Sequence, residues 1–69
     1  MKISARNILK GRIKSIVNGP VSSEVSVELP GGNIIISVIT RTSAESLDLQ
    51  EGKEAYAVIK ATNVMIATD

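Results

Sequence analysis

An all-β domain with one short helix is what this chain predicts, and three observations carry that expectation. Polar and apolar residues alternate from Val21 to Leu29, with the period of a strand half-buried in a sheet. β-branched residues crowd Ile34 to Thr40, and turn signals such as Asn18-Gly19-Pro20 and Pro30-Gly31-Gly32-Asn33 punctuate the apolar runs. One stretch alone, beginning at Thr42, leaves the period-2 pattern for a helix start.

The elements follow in order. A first strand is expected from about Asn7 to Val17, with Leu9, Gly11, Ile13 and Ser15 on one face and Lys10, Arg12 and Lys14 on a solvated one. Gly11 inside it points to a bend or a close backbone approach, as at a barrel corner. In the second strand Val21, Ser23, Val25, Val27 and Leu29 share the inner face; Ser22, Ser23 and Ser26 are expected at the surface or the sheet edge. Ile34 to Thr40, apolar on both sides apart from Ser37, is expected to be buried on both. Thr42-Ser43-Ala44-Glu45 has the form of a capping box, and the short helix it opens should tuck Leu47 and Leu49 into the core. Glu54 to Lys60 forms a further strand, and Val64 to Ala67 a short last one. Three strands, a short helix and two strands give the order of a five-stranded OB-type barrel.

Composition narrows the class. At 69 residues the chain makes one domain, residues 1–69, near the lower size limit for a self-sufficient core. It has no Cys and no His, which excludes disulfides and a structural zinc site. Yet 43% of its residues are hydrophobic, more than so small a core can hide, so the surplus should lie on subunit interfaces of a homo-oligomer. A net charge of +1 implies neither a polyanion partner nor a membrane surface. No apolar run approaches the roughly 20 residues needed to span a bilayer, and Met1-Lys2-Ile3-Ser4 lacks the pattern of a signal peptide, so a cytoplasmic location is expected.

Chemistry concentrates in two polar segments, Ser4-Ala5-Arg6-Asn7 and Lys60-Ala61-Thr62. No acid precedes Glu24, and none lies between Glu54 and Asp69. A tetrahedral dianion presents only acceptors, so its pocket must be lined by donors and hold no carboxylate. Ser4, Arg6, Lys60 and Thr62 are such donors, the small side chains of Ala5 and Ala61 expose backbone amides, and Thr40 at the end of the third strand is a further candidate.

The same segments resemble a known family. Ser4-Ala5-Arg6-Asn7 followed by Leu9, Gly11 and Ile13 is similar to the S-A-R-N-x-L-x-G-x-[VI] opening of the molbindin (Mop) family. The likeness continues through Gly19, Val21, Glu24-Val25, Gly31-Gly32, Ile39-Thr40, Ser43-Ala44, Leu47, Leu49 and Gly52 to Ile59-Lys60-Ala61-Thr62. It implies an OB fold that binds molybdate or tungstate, assembled as a hexamer (a trimer of dimers) with anions held between subunits. The main site it implies comprises Ser4, Ala5, Arg6, Thr40, Lys60, Ala61 and Thr62. A second site near a threefold axis would use Asn18, Gly19, Val21 and Ser22, although Pro20 between them has no amide hydrogen to donate. Molybdenum or tungsten would be bound only as oxyanion, with no free-cation site and no cofactor. The implied role is intracellular storage in a free-standing form, since neither an ATPase nor a helix-turn-helix segment is present.

Two other classes compete. Lys2, Arg6, Lys10, Arg12 and Lys14 allow a nucleic-acid-binding OB module, but Tyr56 is the sole aromatic where such modules stack bases on several. An enzyme lacks a nucleophile paired with a base, and the seven acids scatter over turns and strand faces.

Overall fold

The computed structural model describes residues 1–69. Four strands form one antiparallel sheet: β1 (Asn7–Asn18), β2 (Ser22–Glu28), β3 (Ile34–Thr40) and β4 (Glu54–Ile59). The helix α1 (Arg41–Ser46) lies between β3 and β4, and a 3₁₀ turn (Ala61–Asn63) follows β4. The spatial order is β3-β2-β1-β4.

The sheet curls because β1 serves two partners along its length. Its first half, Asn7 to Arg12, pairs with β4, while Arg12 to Asn18 pairs with β2. Arg12 is the one residue paired on both sides, opposite Glu54 and Glu28. The register with β2 slips between Ile13 and Ser15, leaving Lys14 as a bulge that sharpens the turn of the strand. Gly11 answers the expectation of a close approach: a Cβ there would collide with the Glu28 carbonyl oxygen and lie 2.9 Å from Val27 Cγ1.

The inner face holds the core. Ile13, Val25 and Val27 are buried, with Ile16, Leu29, Ile35, Ile39, Leu49 and Ala55 packed around them. Ala44 seats the helix. The outward row Lys10, Arg12 and Lys14 is exposed as expected, and two of its charges are paired: Lys10 with Glu54 (3.4 Å) and Lys14 with Glu28 (3.8 Å).

Several expectations are corrected. Residues 64–67 form no strand, so the sheet has four strands rather than five. Val64, Met65 and Ile66 stand 46%, 93% and 86% exposed. A strand is defined by its ladder partner, and nothing in the chain's own fold pairs with this segment. β3 is half-buried on one side, through Ile35, Ser37 and Ile39, and exposed on the other at Ile36 and Val38. Ser23 is not a surface residue but fully buried, donating to Asn18 Oδ1 at 2.6 Å, which makes its burial affordable in hydrogen-bond terms.

The helix starts two residues earlier than the capping-box pattern implied. Thr40, extended at φ −67° and ψ 147°, is the N-cap, and its Oγ1 accepts from the Ser43 amide at 3.0 Å. The chain turns there because the Arg41 amide donates to the Val21 carbonyl at 2.8 Å as β3 ends. Glu45, released from capping, pairs with Arg41 at i,i+4 (3.3 Å). Leu47 is exposed rather than tucked in; Leu49 reaches the core.

Candidate functional site

Strand pairing brings the two donor segments together. Ser4 to Arg6 lead into β1, and Lys60 to Thr62 leave β4; Asn7 and Ile59 are register partners between them. The Asn7 side chain reinforces the junction, its Nδ2 donating to the Ile59 carbonyl at 3.1 Å. A cavity of about 490 Å³ opens there, lined by Ile3, Ser4, Ala5, Arg6, Val58, Lys60, Ala61, Thr62 and Asn63. Segments 53 residues apart in sequence, at Asn7 and Lys60, thus meet because antiparallel pairing places one strand's start beside the other's end.

The lining has the polarity of an anion site. It contains the Arg6 guanidinium, the Lys60 ammonium, the hydroxyls of Ser4 and Thr62 and the amide group of Asn63, with no carboxylate. Two full positive charges face the cavity, enough to balance a dianion. The 3₁₀ turn that carries Lys60 to Asn63 is closed by the Asn63 amide on the Lys60 carbonyl (2.8 Å) and the Val64 amide on the Ala61 carbonyl (3.3 Å). Apart from Ala5, the polar and small residues of the lining are exposed, so the site of a single chain is open on its outer side.

Six of the seven main-site residues are therefore neighbours, and Thr40 is not among them. Thr40 pairs with Ser22, at the end of the sheet where β1 finishes, and the donors gather where β1 begins. Its hydroxyl is also occupied, donating to Ser43 Oγ at 2.7 Å while capping α1.

The second cluster is assembled around Thr40 instead. Asn18, Gly19, Val21 and Ser22 form a tight loop closed by the Gly19 amide on the Ser22 carbonyl (2.7 Å). Asn18 spends its Oδ1 on Ser23, and the Gly19 and Val21 carbonyls accept from Arg41 side chain and backbone (3.4 and 2.8 Å). Within one chain the Gly19 and Val21 carbonyls of this loop are taken up by Arg41.

Two residues escaped the reading of the sequence. Asn63 completes the donor lining, and its signal was its place one residue after the second segment. Arg41 braces the second loop, and only the structure reveals that β3 delivers it there.

Comparison with known proteins meets this geometry. The family model of the TOBE domain matches residues 3–66. The chain belongs to the TOBE domain family. Among the relatives of this TOBE domain is molybdenum-pterin-binding protein 1 of Clostridium pasteurianum, 50% identical over 66 residues that cover 96% of this chain and 97% of the relative. Solved structures agree on the fold. MopII from Clostridium pasteurianum superposes with a TM-score of 0.92 at 48% identity, covering 97% of this chain and all of the other. A molybdate-binding protein from Sporomusa ovata gives 0.92 at 35% identity, covering 99% and 100%. The cytoplasmic molybdate-binding protein ModG, with molybdate bound, gives 0.90 at 46% identity, covering 94% of this TOBE domain and 46% of its own chain. The curled β architecture with one short helix is thus the fold of molbindin structures. No helix of the chain is long and apolar enough to cross a membrane.

Proposed function

We propose that this TOBE domain, residues 1–69, is an oxyanion-binding protein that reversibly binds and stores molybdate or tungstate in the cytoplasm, without catalysis. The observation that carries the reading is the acid-free cavity in which Ser4, Arg6, Lys60 and Thr62 converge. Relatives of full-length coverage named for molybdenum-pterin and molybdate binding support the ligand class. Arg6 would offer a planar fork of donors and Lys60 a point charge, while the hydroxyls of Ser4 and Thr62 and the amides of Ala5 and Ala61 would meet the remaining oxygens. Hydrogen phosphate is disfavoured because its proton needs an acceptor, and none of the lining side chains carries a carboxylate. Sulfate would be rejected by size.

The openness of the cavity in one chain favours a site completed between subunits, in a homo-oligomer that we take to be a hexamer built as a trimer of dimers. Thr40 would then join the main site from a neighbouring copy, and Asn18, Gly19, Val21 and Ser22 would contribute a second site through groups a single chain leaves facing outward. Burial between subunits strengthens each charge-assisted contact by excluding water. The nucleic-acid alternative loses ground on the surface itself, since Lys10 and Lys14 are paired with Glu54 and Glu28 and one aromatic cannot build a stacking platform.

Titration calorimetry with molybdate, tungstate and sulfate tests the proposal. Wild type should bind the first two and not the third, and Lys60→Met should weaken binding by about 2 kcal/mol or more, the scale for truncating one partner of a desolvated charge contact. Equal affinity in wild type and Lys60→Met would remove Lys60 from the site.

A further inference from the structure

The charges of the chain are unevenly paired. It has eight Lys and Arg side chains. Four of them are held in ion pairs of 3.2 to 3.8 Å: Lys10 with Glu54, Lys14 with Glu28, Arg41 with Glu45 and Lys53 with Asp48. A fifth, Arg12, donates to the Gly52 carbonyl at 3.1 Å and stands in register between Glu28 and Glu54. Lys2, Arg6 and Lys60 remain, all exposed and none bonded to an acid. Arg6 and Lys60 line the donor cavity; Lys2 is outside the lining but adjoins Ile3, which is part of it. A solvated lysine is ordinary by itself. The bias lies in the distribution, because every cation left without an acid stands at the end of the sheet where β1 begins and β4 finishes.

Carboxylates are remote from that end along both strands. β1 holds none, and the first one met along β4 from Lys60 is Glu54, six residues away, about 20 Å of extended chain. That is about twice the Debye length at 0.1 M salt. Glu54 is in any case committed to Lys10. The acids without an ion pair are Glu24 on β2, Glu51 in the turn before β4, and Asp69, six residues past Asn63.

We infer that Lys2 is a steering residue for oxyanion capture, which speeds the arrival of a dianion at the cavity without contacting it there. The inference rests on the oxyanion reading of the cavity and adds how the site is filled. Arg6 and Lys60 attract the anion and also bind it, so their two effects cannot be separated. Lys2 can act only through its field. A charge at the rim of a site changes the association rate and its salt dependence, whereas a desolvated contact changes the dissociation rate. Taken about 10 Å from a dianion at the mouth, across Ile3, one unit charge in water contributes an attraction slightly greater than thermal energy. At about 10 mM ionic strength the Debye length is about 30 Å and most of that attraction survives; at 1 M it is about 3 Å and almost none does.

The test uses the full chain and radiolabelled molybdate. Rapid-quench filtration gives kon, and a chase with unlabelled molybdate gives koff. At about 10 mM ionic strength Lys2→Met should lower kon about threefold and Lys2→Glu about sevenfold, with koff within about twofold of wild type. At 1 M salt all three proteins should associate at the same rate. Equal kon for wild type and Lys2→Glu at low salt overturns the inference, and so does a change confined to koff, which would make Lys2 a ligand. Glu51→Lys is a charge change of equal size away from the cavity and should move kon by less than about twofold. An effect as large as that of Lys2→Glu, in the opposite direction, would make net charge rather than placement the cause and likewise overturns it. Failure of wild type to take up molybdate refutes the oxyanion reading and this inference with it; normal uptake with an indifferent Lys2 refutes the inference alone.

Discussion

Gly11→Ala is the substitution that most directly tests how the fold is bent. The Cβ it introduces would strike the Glu28 carbonyl oxygen and sit 2.9 Å from Val27 Cγ1, and neither can withdraw freely: one is backbone paired to β1 and the other belongs to the buried core. Forcing a methyl into such a site costs about 1–3 kcal/mol in overpacking and backbone shift. For a domain of this size each kcal/mol corresponds to about 4–8 °C in Tm, so a fall of roughly 8–16 °C is the central expectation at about 2 kcal/mol. Thermal unfolding followed by far-ultraviolet circular dichroism, at matched protein concentration to hold any assembly equilibrium constant, reads it out. Gly31→Ala makes the comparison: no atom lies within 4 Å of its Cβ, so its cost comes from φ +98° alone. That backbone penalty is about 1–2 kcal/mol, with no cavity or contact involved. If Gly11→Ala melts within 2 °C, or about 0.4 kcal/mol, of wild type, the close approach of β1 to Glu28 and Val27 at Gly11 does not constrain the fold as the geometry implies.

Three further outcomes are expected. Thr40→Ala should cost about 1 kcal/mol of stability through loss of the α1 N-cap, and Thr40→Ser should restore it; chemical denaturation distinguishes them, and equal stability of all three would remove the cap from the account. Saturating molybdate should raise Tm by an amount that grows with its concentration, as for any ligand bound only by the folded assembly, and an unchanged melting curve would count against the binding site. Asp48 is held below the usual carboxylate range first by its hydrogen bond and then by the charge of Lys53 (3.2 Å), so its contribution to stability is full above the ordinary carboxylate pKa and is lost as pH falls through the lowered folded value. In Lys53→Met the Asp48 carboxyl should titrate at higher pH by carbon-13 NMR; no upward movement would show that Lys53 is not the cause.

What could be read from the residues was what local pattern determines. The alternation of β2 placed Val25 and Val27 on the inner face, but Val21, grouped with them, lies before the strand and is 76% exposed, and Ser23, expected at the surface, is buried; alternation assigns a side and not a depth, so the bond of Ser23 to Asn18 stayed hidden. Both Thr40 and Thr42 suit an N-cap; the choice fell to Thr40 because the Arg41 amide is taken by Val21, a contact 20 residues away that no local pattern encodes. Ser4, Ala5, Arg6, Lys60, Ala61 and Thr62 were grouped by their freedom from acids, and the Asn7–Ile59 pairing brings them together. Thr40, a further candidate donor at the end of the third strand and part of the main site the resemblance implies, is set by chain topology at the far end of β1. Val64 to Ala67 has the composition of a strand without a partner in its own chain, so composition alone could not tell a paired strand from an unpaired one.

The acid-free lining of the cavity has a consequence for how cargo would be let go. Neither a carboxylate nor an imidazole stands in it to change charge as a cell acidifies. Release would therefore not be triggered by protonating a side chain of this lining, as it is in acid-sensing carriers. Occupancy would follow the free concentration of the anion alone, filling in surplus and draining in scarcity, so that the protein acts as a passive reservoir whose set point is its dissociation constant.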